Sequence, residues 1–518
     1  MLDQKVPSKD FLNRDEFRDK VLGCWTGKNI GGTLGAPMEG TREMLDVKFY
    51  TQDLQGKPAP NDDLDLQLIW LLAVEERGVY NLNERILGEY WLSHIVGPWN
   101  EYGIGKINMT NGFLPPLSGS VNNDKWKNSN GAWIRSEIWA CLFPGAPDEV
   151  AEYAWIDACV DHADDGIYAE IFTATLESAA FVESDIRKLI NIALARIPTN
   201  CRIARSVKLV VDGYEAKQDW TVIRNAIIAD SAGLGWFQAP ANVAFVVLGL
   251  LYGEGDFARS LCYAVNCGDD TDCTGATVGA ILGIINGRSK IPQEWVSPIG
   301  ESIQTVAIDR FHISIPATLS ELTERTIRCK IDVERANPTL PRLTDGPTTI
   351  SPQLLSTYEN STPVSKRVLA RSCMEQIYDL PFGQFKVEYL SSPICASGQP
   401  LKLRLWFVGN LAQQCNVVHL FWQLPATWSI TPAPHQALFV KAWHSALEVE
   451  ITPGDFNEPF AYVPLELRVA GRNMPYILAI PFQQDGIVAC EHPFVNQALC
   501  DAENRSLSRT IVALQAVK

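Results

Sequence analysis

The apolar residues of this chain change their period once. From about Phe11 to Lys330 they recur at helical spacing. In LDLQLIWLLAVEERG, Leu66, Ile69, Trp70, Ala73 and Val74 follow the i, i+3, i+4, i+7, i+8 pattern. Leu68, Leu71 and Leu72 fill the other faces, so this helix is expected to be central. The segments IYAEIFTATLESAAFV (Ile167 to Val182) and DIRKLINIALARI (Asp185 to Ile197) continue the same character. Between Ala336 and Val364, Pro338, Pro341, Pro347, Pro352 and Pro363 interrupt any long helix or strand. Beyond them LKLRLWFV (Leu401 to Val408), NVVHLFWQL (Asn416 to Leu424) and ALEVEITP (Ala446 to Pro453) alternate at period two. The expected architecture is multi-domain: an all-α domain over residues 11–335, a linker at 336–364, and an all-β antiparallel sandwich over 365–518.

A length of 518 residues agrees with two cores rather than one. The net charge of −16, with no cluster of Lys and Arg, excludes nucleic acid and anionic membranes as expected partners, because those contacts need cations that displace counterions. The longest apolar run, ANVAFVVLGLLYG (Ala241 to Gly253), is shorter than the ~18–20 residues that a membrane-spanning helix requires. Thirteen cysteines without a CxxC pair fit reduced thiols better than a disulfide framework or a zinc site. The N-terminus, MLDQKVPSKDFLNRDEF, has no apolar segment of the secretory type, so a cytoplasmic location is expected.

Two acidic clusters stand out. Asn61-Asp62-Asp63-Leu64-Asp65 precedes the central helix, where Asn61 is a good N-cap and the helix dipole favours acidic residues in the first turn. Asp269-Asp270-Thr271-Asp272 precedes a second helix with an apolar stripe (Val278, Ile281, Leu282, Ile285) beside a small one (Ala276, Gly279, Ala280, Gly283). Small residues let another helix approach closely. Two such helix starts in one bundle could bring four or more carboxylates together. A divalent cation then relieves their repulsion, and all-oxygen ligands favour Mg²⁺, Mn²⁺ or Ca²⁺ over zinc. Asp270-Thr271-Asp272-Cys273-Thr274 also fits the DxDxT pattern of haloacid-dehalogenase-like phosphatases. That motif ends a strand near the start of a parallel-sheet domain, whereas here it opens a helix late in a helical one.

Further motifs, in order, are VLGCWTGKNIGGTLGAPMEG (Val21 to Gly40), NDDL (Asn61 to Leu64), NGAWIR (Asn130 to Arg135), DHADDGIYAE (Asp161 to Glu170) and GDDTDCTGA (Gly268 to Ala276). Together they resemble the ADP-ribosylglycohydrolase family from about Phe17 to Trp295. The resemblance implies an all-α orthogonal bundle around two Mg²⁺ ions, sometimes replaced by Mn²⁺, that hydrolyses an N- or O-glycosidic bond to ribose. It implies Asp62, Asp63, Asp270 and Asp272 as metal-ligand carboxylates and as part of the catalytic set. Asn61 and Cys273 stand where the family has hydroxyl ligands; a thiol is a poor ligand for a hard ion, and Thr274 is the alternative. Asp65 and Asp269 add charge beside them. Glu39 is assigned as a general base or a gate over the metals.

Expected substrate contacts are Glu101, Asn130, Gly131, Arg135 and His162, with Tyr102 and Asn108 as further candidates on Trp99 to Gly119, read as a loop or connector. Arg135 has a competing structural role, and a lone histidine such as His162 is more often a satisfied core residue. In the β region His419, His435 and His444 lie too far apart in sequence to suggest a metal site. Trp406, Trp422, Trp428 and Trp443 are sugar-stacking candidates or core, and packing or homodimerisation is the plain role for this region. The leading expectation is a binuclear glycohydrolase acting on a small-molecule or protein-linked ribosyl substrate. A glycosidase for a non-nucleotide carbohydrate or nucleoside is the alternative, and an inactive ADP-ribose or sugar binder a second one. A basic, glycine-lined pocket near Gly31 to Gly35 favours the first, and an aromatic cleft the second.

Overall fold

The structure, a computed structural model, describes residues 8–409, 417–439 and 446–487. The chain divides into two compact units. One runs to Gly97 and includes Lys125–Ala158 and His162–Arg371; the other holds Pro98–Asp124, Cys159–Asp161 and the chain from Ser372 on.

The first unit is helical. Its opening helix, Arg14–Gly35, is capped by Asn13, whose side chain accepts from the Asp15 and Glu16 amides. Gly23, Gly27, Gly31 and Gly35 recur every fourth residue, so they form one row along that helix. The row lies against Gly283, Gly279, Gly275 and Thr271 of the helix Thr271–Asn286, so closely that a Cβ at any of the four would collide with the facing backbone. The small stripe expected on the later helix is therefore a backbone-to-backbone seam, and Gly31 and Gly35 are closed against it instead of lining a pocket. The helix Asp62–Arg77 is buried on every face from Asp63 to Val74, with Leu66, Ile69, Trp70 and Leu71 fully buried. The helix Asp164–Ala180 is almost wholly buried as well.

The stretch read as a linker has structure of its own. Arg342–Thr344 pairs in parallel with Phe11–Asn13. Pro352 and Pro363 each open a short helix, Pro352–Ser356 and Pro363–Leu369, because a proline at the first helical position lacks only an N–H that would be unsatisfied anyway. The prolines there mark starts as well as breaks.

The second unit has two five-stranded sheets. One orders Glu375–Leu380, Gly383–Tyr389, Leu401–Val408, Leu447–Thr452 and Ser429–Thr431, all antiparallel. The other orders Ile394–Cys395, Tyr476–Gln484, Phe460–Val469, Val417–Trp422 and His435–Phe439, antiparallel except for its first, two-residue strand. Alternate residues of both sheets, among them Val387, Leu403, Leu405, Leu420, Leu465 and Ile480, enter one core. Trp422 and Trp428 lie in that core, and Trp406 is half-buried. Trp443 and His444 lie outside the described residues. His419 and His435, distant in sequence, meet across neighbouring strands with Nδ1 and Nε2 3.3 Å apart. The same core takes in Phe113, Leu117 and Val121. The segment read as a loop at Trp99 to Gly119 begins with a helix, Asn100–Thr110.

Among the described residues no helix is long and apolar enough to cross a membrane, and the described cysteines are free thiols.

Candidate metal centre

The two acidic clusters meet in the helical unit. Asn61 caps the first helix as its sequence suggests, its Oδ1 accepting from the Asp63 amide at 2.7 Å. That bond takes one of the two lone pairs of the amide oxygen proposed as a ligand. Asp62 is half-buried and Asp63 fully buried. At the second helix Asp270 stands in the capping position, yet its side chain makes no capping bond. Its Oδ2 instead accepts from Asn130 Nδ2 at 2.6 Å, and Asn130 is fixed in turn by Trp133 Nε1, which donates to its Oδ1 at 3.0 Å.

The loop after the opening helix brings in Glu39. Asp269, at φ +61°, exchanges backbone hydrogen bonds with Gly40 and Thr41, and Arg42 closes the loop with an ion pair to its carboxylate at 3.0 Å. Asp269 thus serves as an anchor, and so does Asp65, whose Oδ2 accepts from the amides of Val306 and Ala307 at 2.6 and 2.7 Å.

Two groups result in which one donor atom from each residue lies within 4.8 Å of the others: Glu39, Asp270 and Asp272 at the rim, and Asp63, Asp272 and Cys273 beneath it. Asp272 belongs to both. The Cys273 thiol donates to Asp63 Oδ1 at 3.5 Å. Thr274 turns away, its hydroxyl donating to the Thr271 carbonyl at 3.2 Å. Of the two residues considered for the hydroxyl's place, the structure turns the thiol inward.

The electrostatics are those of a cradle short of positive charge. Burial, then Asp272 and Asp62, push the Glu39 carboxyl up to about 8. Burial raises Asp63, Asp270 and Asp272 above the ordinary carboxylate range, with neighbouring carboxylates adding to the rise at Asp63 and Asp270. Burial and the surrounding aspartates also raise the Cys273 thiol. Asp63 Oδ2, Asp270 Oδ1 and Asp272 Oδ1 are buried without a hydrogen-bond donor among the described residues. Orphaned acceptors among crowded carboxylates are what a divalent cation satisfies, so the donor set fits the metal that the family resemblance implies.

One partner of the cluster was not foreseen. Lys28, fully buried, donates from Nζ to Glu137 Oε1 and to the Ile134 carbonyl, both at 2.7 Å, and stands 3.8 Å from Asp63 Oδ2. Gln67 Nε2 holds the other Glu137 oxygen and the Asp63 carbonyl, each at 2.8 Å. A lysine amid WTGKNIGGTLG was its only signal in the sequence.

The expected substrate contacts divide. Asn130 belongs to the cluster through Asp270. Arg135 is an internal residue: its guanidinium pairs with Asp157 at 2.8 Å, donates to the Gly131 carbonyl at 2.7 Å and lies over the Trp91 ring. His162 is fully buried, with Nε2 3.2 Å from Ser129 Oγ. Glu101, Tyr102 and Asn108 fall in the other unit, where all three are buried and Asn108 donates to the carbonyls of Ser118 and Val121. At the rim, Gly40 faces the edge of Trp236, which packs on Phe237 and through it on Trp126.

A family model described as ADP-ribosylglycohydrolase matches residues 13–326. A solved structure titled "ADP-ribosylglycohydrolase-related protein complex" is similar at 20% identity, covering 62% of this chain and 99% of that one with a TM-score of 0.43. No curated protein matches the chain.

Proposed function

The chain belongs to the ADP-ribosylglycohydrolase family, and from its carboxylate cradle we propose that it is a divalent-cation-dependent hydrolase of a ribosyl N- or O-glycosidic bond. The observation that carries this is the sharing of Asp272 between the two donor groups, since one carboxylate serving two groups is how two neighbouring ions are held. Asp62, Asp63, Asp270, Asp272 and Glu39 would hold the cations, which supply Lewis-acid polarisation of a water and of vicinal sugar hydroxyls.

The residues of the chain do the positioning. Asn130 fixes the rotamer of Asp270, and the Lys28, Glu137 and Gln67 network holds Asp63 from behind. Glu39, which precedes the Gly40 and Thr41 backbone bonds to Asp269 and lies at the solvent rim, is the group placed to take a proton from an incoming water. The helix seam keeps this arrangement rigid, as a site held to a fraction of an ångström needs.

Trp236, Phe237 and Trp126 beside Gly40 favour a second reading, a non-nucleotide glycoside whose sugar stacks on a ring face. A hydrolysis screen with ADP-ribosyl and plain furanosyl substrates, with and without chelator, tests both. Cation-dependent release of ADP-ribose from an ADP-ribosyl compound supports the first, and turnover of plain glycosides alone supports the second. Equal turnover in the presence of chelator would sink the metal-dependent mechanism.

A further inference from the structure

The two donor groups are chemically unlike. Glu39, Asp270 and Asp272 offer only carboxylate oxygens, whereas Asp63, Asp272 and Cys273 offer two carboxylates and a sulfur. The latter three are each more than nine-tenths buried, and Asp63 Oδ2 and Asp272 Oδ1 have no hydrogen-bond partner among the described residues. The spacing is informative. On a tetrahedral zinc-class ion, thiolate sulfur lies about 2.3 Å and carboxylate oxygen about 2.0–2.2 Å from the metal, which puts the two donors roughly 3.5–3.7 Å apart. Cys273 Sγ and Asp63 Oδ1 are 3.5 Å apart, joined by the thiol's hydrogen bond, so an ion replacing that proton needs little movement of either donor. Magnesium makes no use of such a pair, because it takes oxygen ligands in near-ideal octahedral geometry and a thiol is soft. The Lys28 ammonium nearby is matched by Glu137 at 2.7 Å, so the pair adds no net positive charge to repel a cation.

We propose that the centre is asymmetric: the buried group of Asp63, Asp272 and Cys273 takes a thiophilic first-row divalent cation of the zinc class, while Glu39, Asp270 and Asp272 take a hard one such as Mg²⁺. The assignment rests on the metal-centre reading above and deepens it by giving the two ions different identities. Ligation exchanges the S–H bond of Cys273 for a sulfur–metal bond. The proton leaves to solvent, and no electrons are transferred.

The test uses the full chain, stripped by chelator and titrated with Co²⁺ in excess Mg²⁺. The expected result is a near-ultraviolet sulfur-to-cobalt charge-transfer band that saturates at one ion per chain and is missing from Cys273→Ser. Calorimetry with Zn²⁺ should show that variant weaker by about 100-fold, since even outer partners of a metal site cost 10–100-fold when removed. Cys273→Ala is the second variant, with the same expected loss, should the serine protein fold poorly. Cobalt binding without the band, or a band kept in both variants, overturns the asymmetric assignment. If Asp270→Ala still weakens binding in that case, the metal centre itself stands. A wild-type chain that binds no divalent cation overturns both.

Discussion

The two acidic helix starts look alike in sequence and behave differently. At Asn61 the residue in the capping position caps, so a plain helix start explains part of that cluster. At Asp270 it does not: the carboxylate turns from its own helix to Asn130 and leaves one oxygen buried and, among the described residues, unsatisfied. Capping is a local economy, and a chain that forgoes it keeps the carboxylate for something else. The first helix also has the Lys28 network behind Asp63, while the second has the glycine seam behind it. One cluster is braced by charge and the other by backbone contact.

Removing the charge brace should have the largest effect on stability. Lys28→Met leaves Glu137 buried without its cation, and should cost about 3–5 kcal/mol in denaturant unfolding. Pairing it with Glu137→Leu should recover much of that loss, because it removes both buried charges together. If the single variant melts like wild type, the ammonium does not brace the first cluster.

Titration compares the same two clusters. In the ion-free protein burial pushes Asp65 up to about 7, against the opposing Val306 and Ala307 amides, and Asp269 up to about 6, against Arg42. Glu39 reaches about 8. A folded state that holds protons more tightly than the unfolded chain is favoured at low pH. The contribution is complete below the ordinary carboxylate range near pH 4 and is lost as pH rises through about 6 to 8. Melting of chelator-treated protein should therefore fall over that window, and added Mg²⁺, which favours the ionised carboxylates, should stabilise more at pH 8 than at pH 5. A flat or rising profile without metal would contradict the crowded, charge-poor cradle.

The smallest effect is expected at the cap. Asn61→Ala should cost about 1 kcal/mol of stability and leave cation affinity nearly unchanged, because its oxygen is engaged by the Asp63 amide. Loss of affinity well beyond that of stability would restore Asn61 as a ligand.

What could be read from the sequence follows from range. The helix at Asp62–Arg77, the alternating strand Leu401–Val408 and the small stripe at Ala276 to Gly283 are local patterns, and all three appear in the fold. The paired carboxylates were legible because each pair is contiguous. The Lys28–Glu137 pair and the Arg135–Asp157 pair join residues far apart in sequence, so no spacing announces them. Pro352 and Pro363 were ambiguous because proline ends helices and begins them by the same missing N–H. The aromatic, glycine-rich stretch from Trp99 hid a helix and a contribution to the β core because its apolar residues serve packing that only the folded strands complete.

The shared carboxylate is the most direct place to test the centre. Equilibrium dialysis against Mg²⁺ and Zn²⁺ together, followed by elemental analysis of the full-length protein, should find two divalent ions in all per wild-type chain and fewer than one in a folded Asp272→Ala variant. A wild-type chain that retains none, or an Asp272→Ala chain that still retains two, would contradict it.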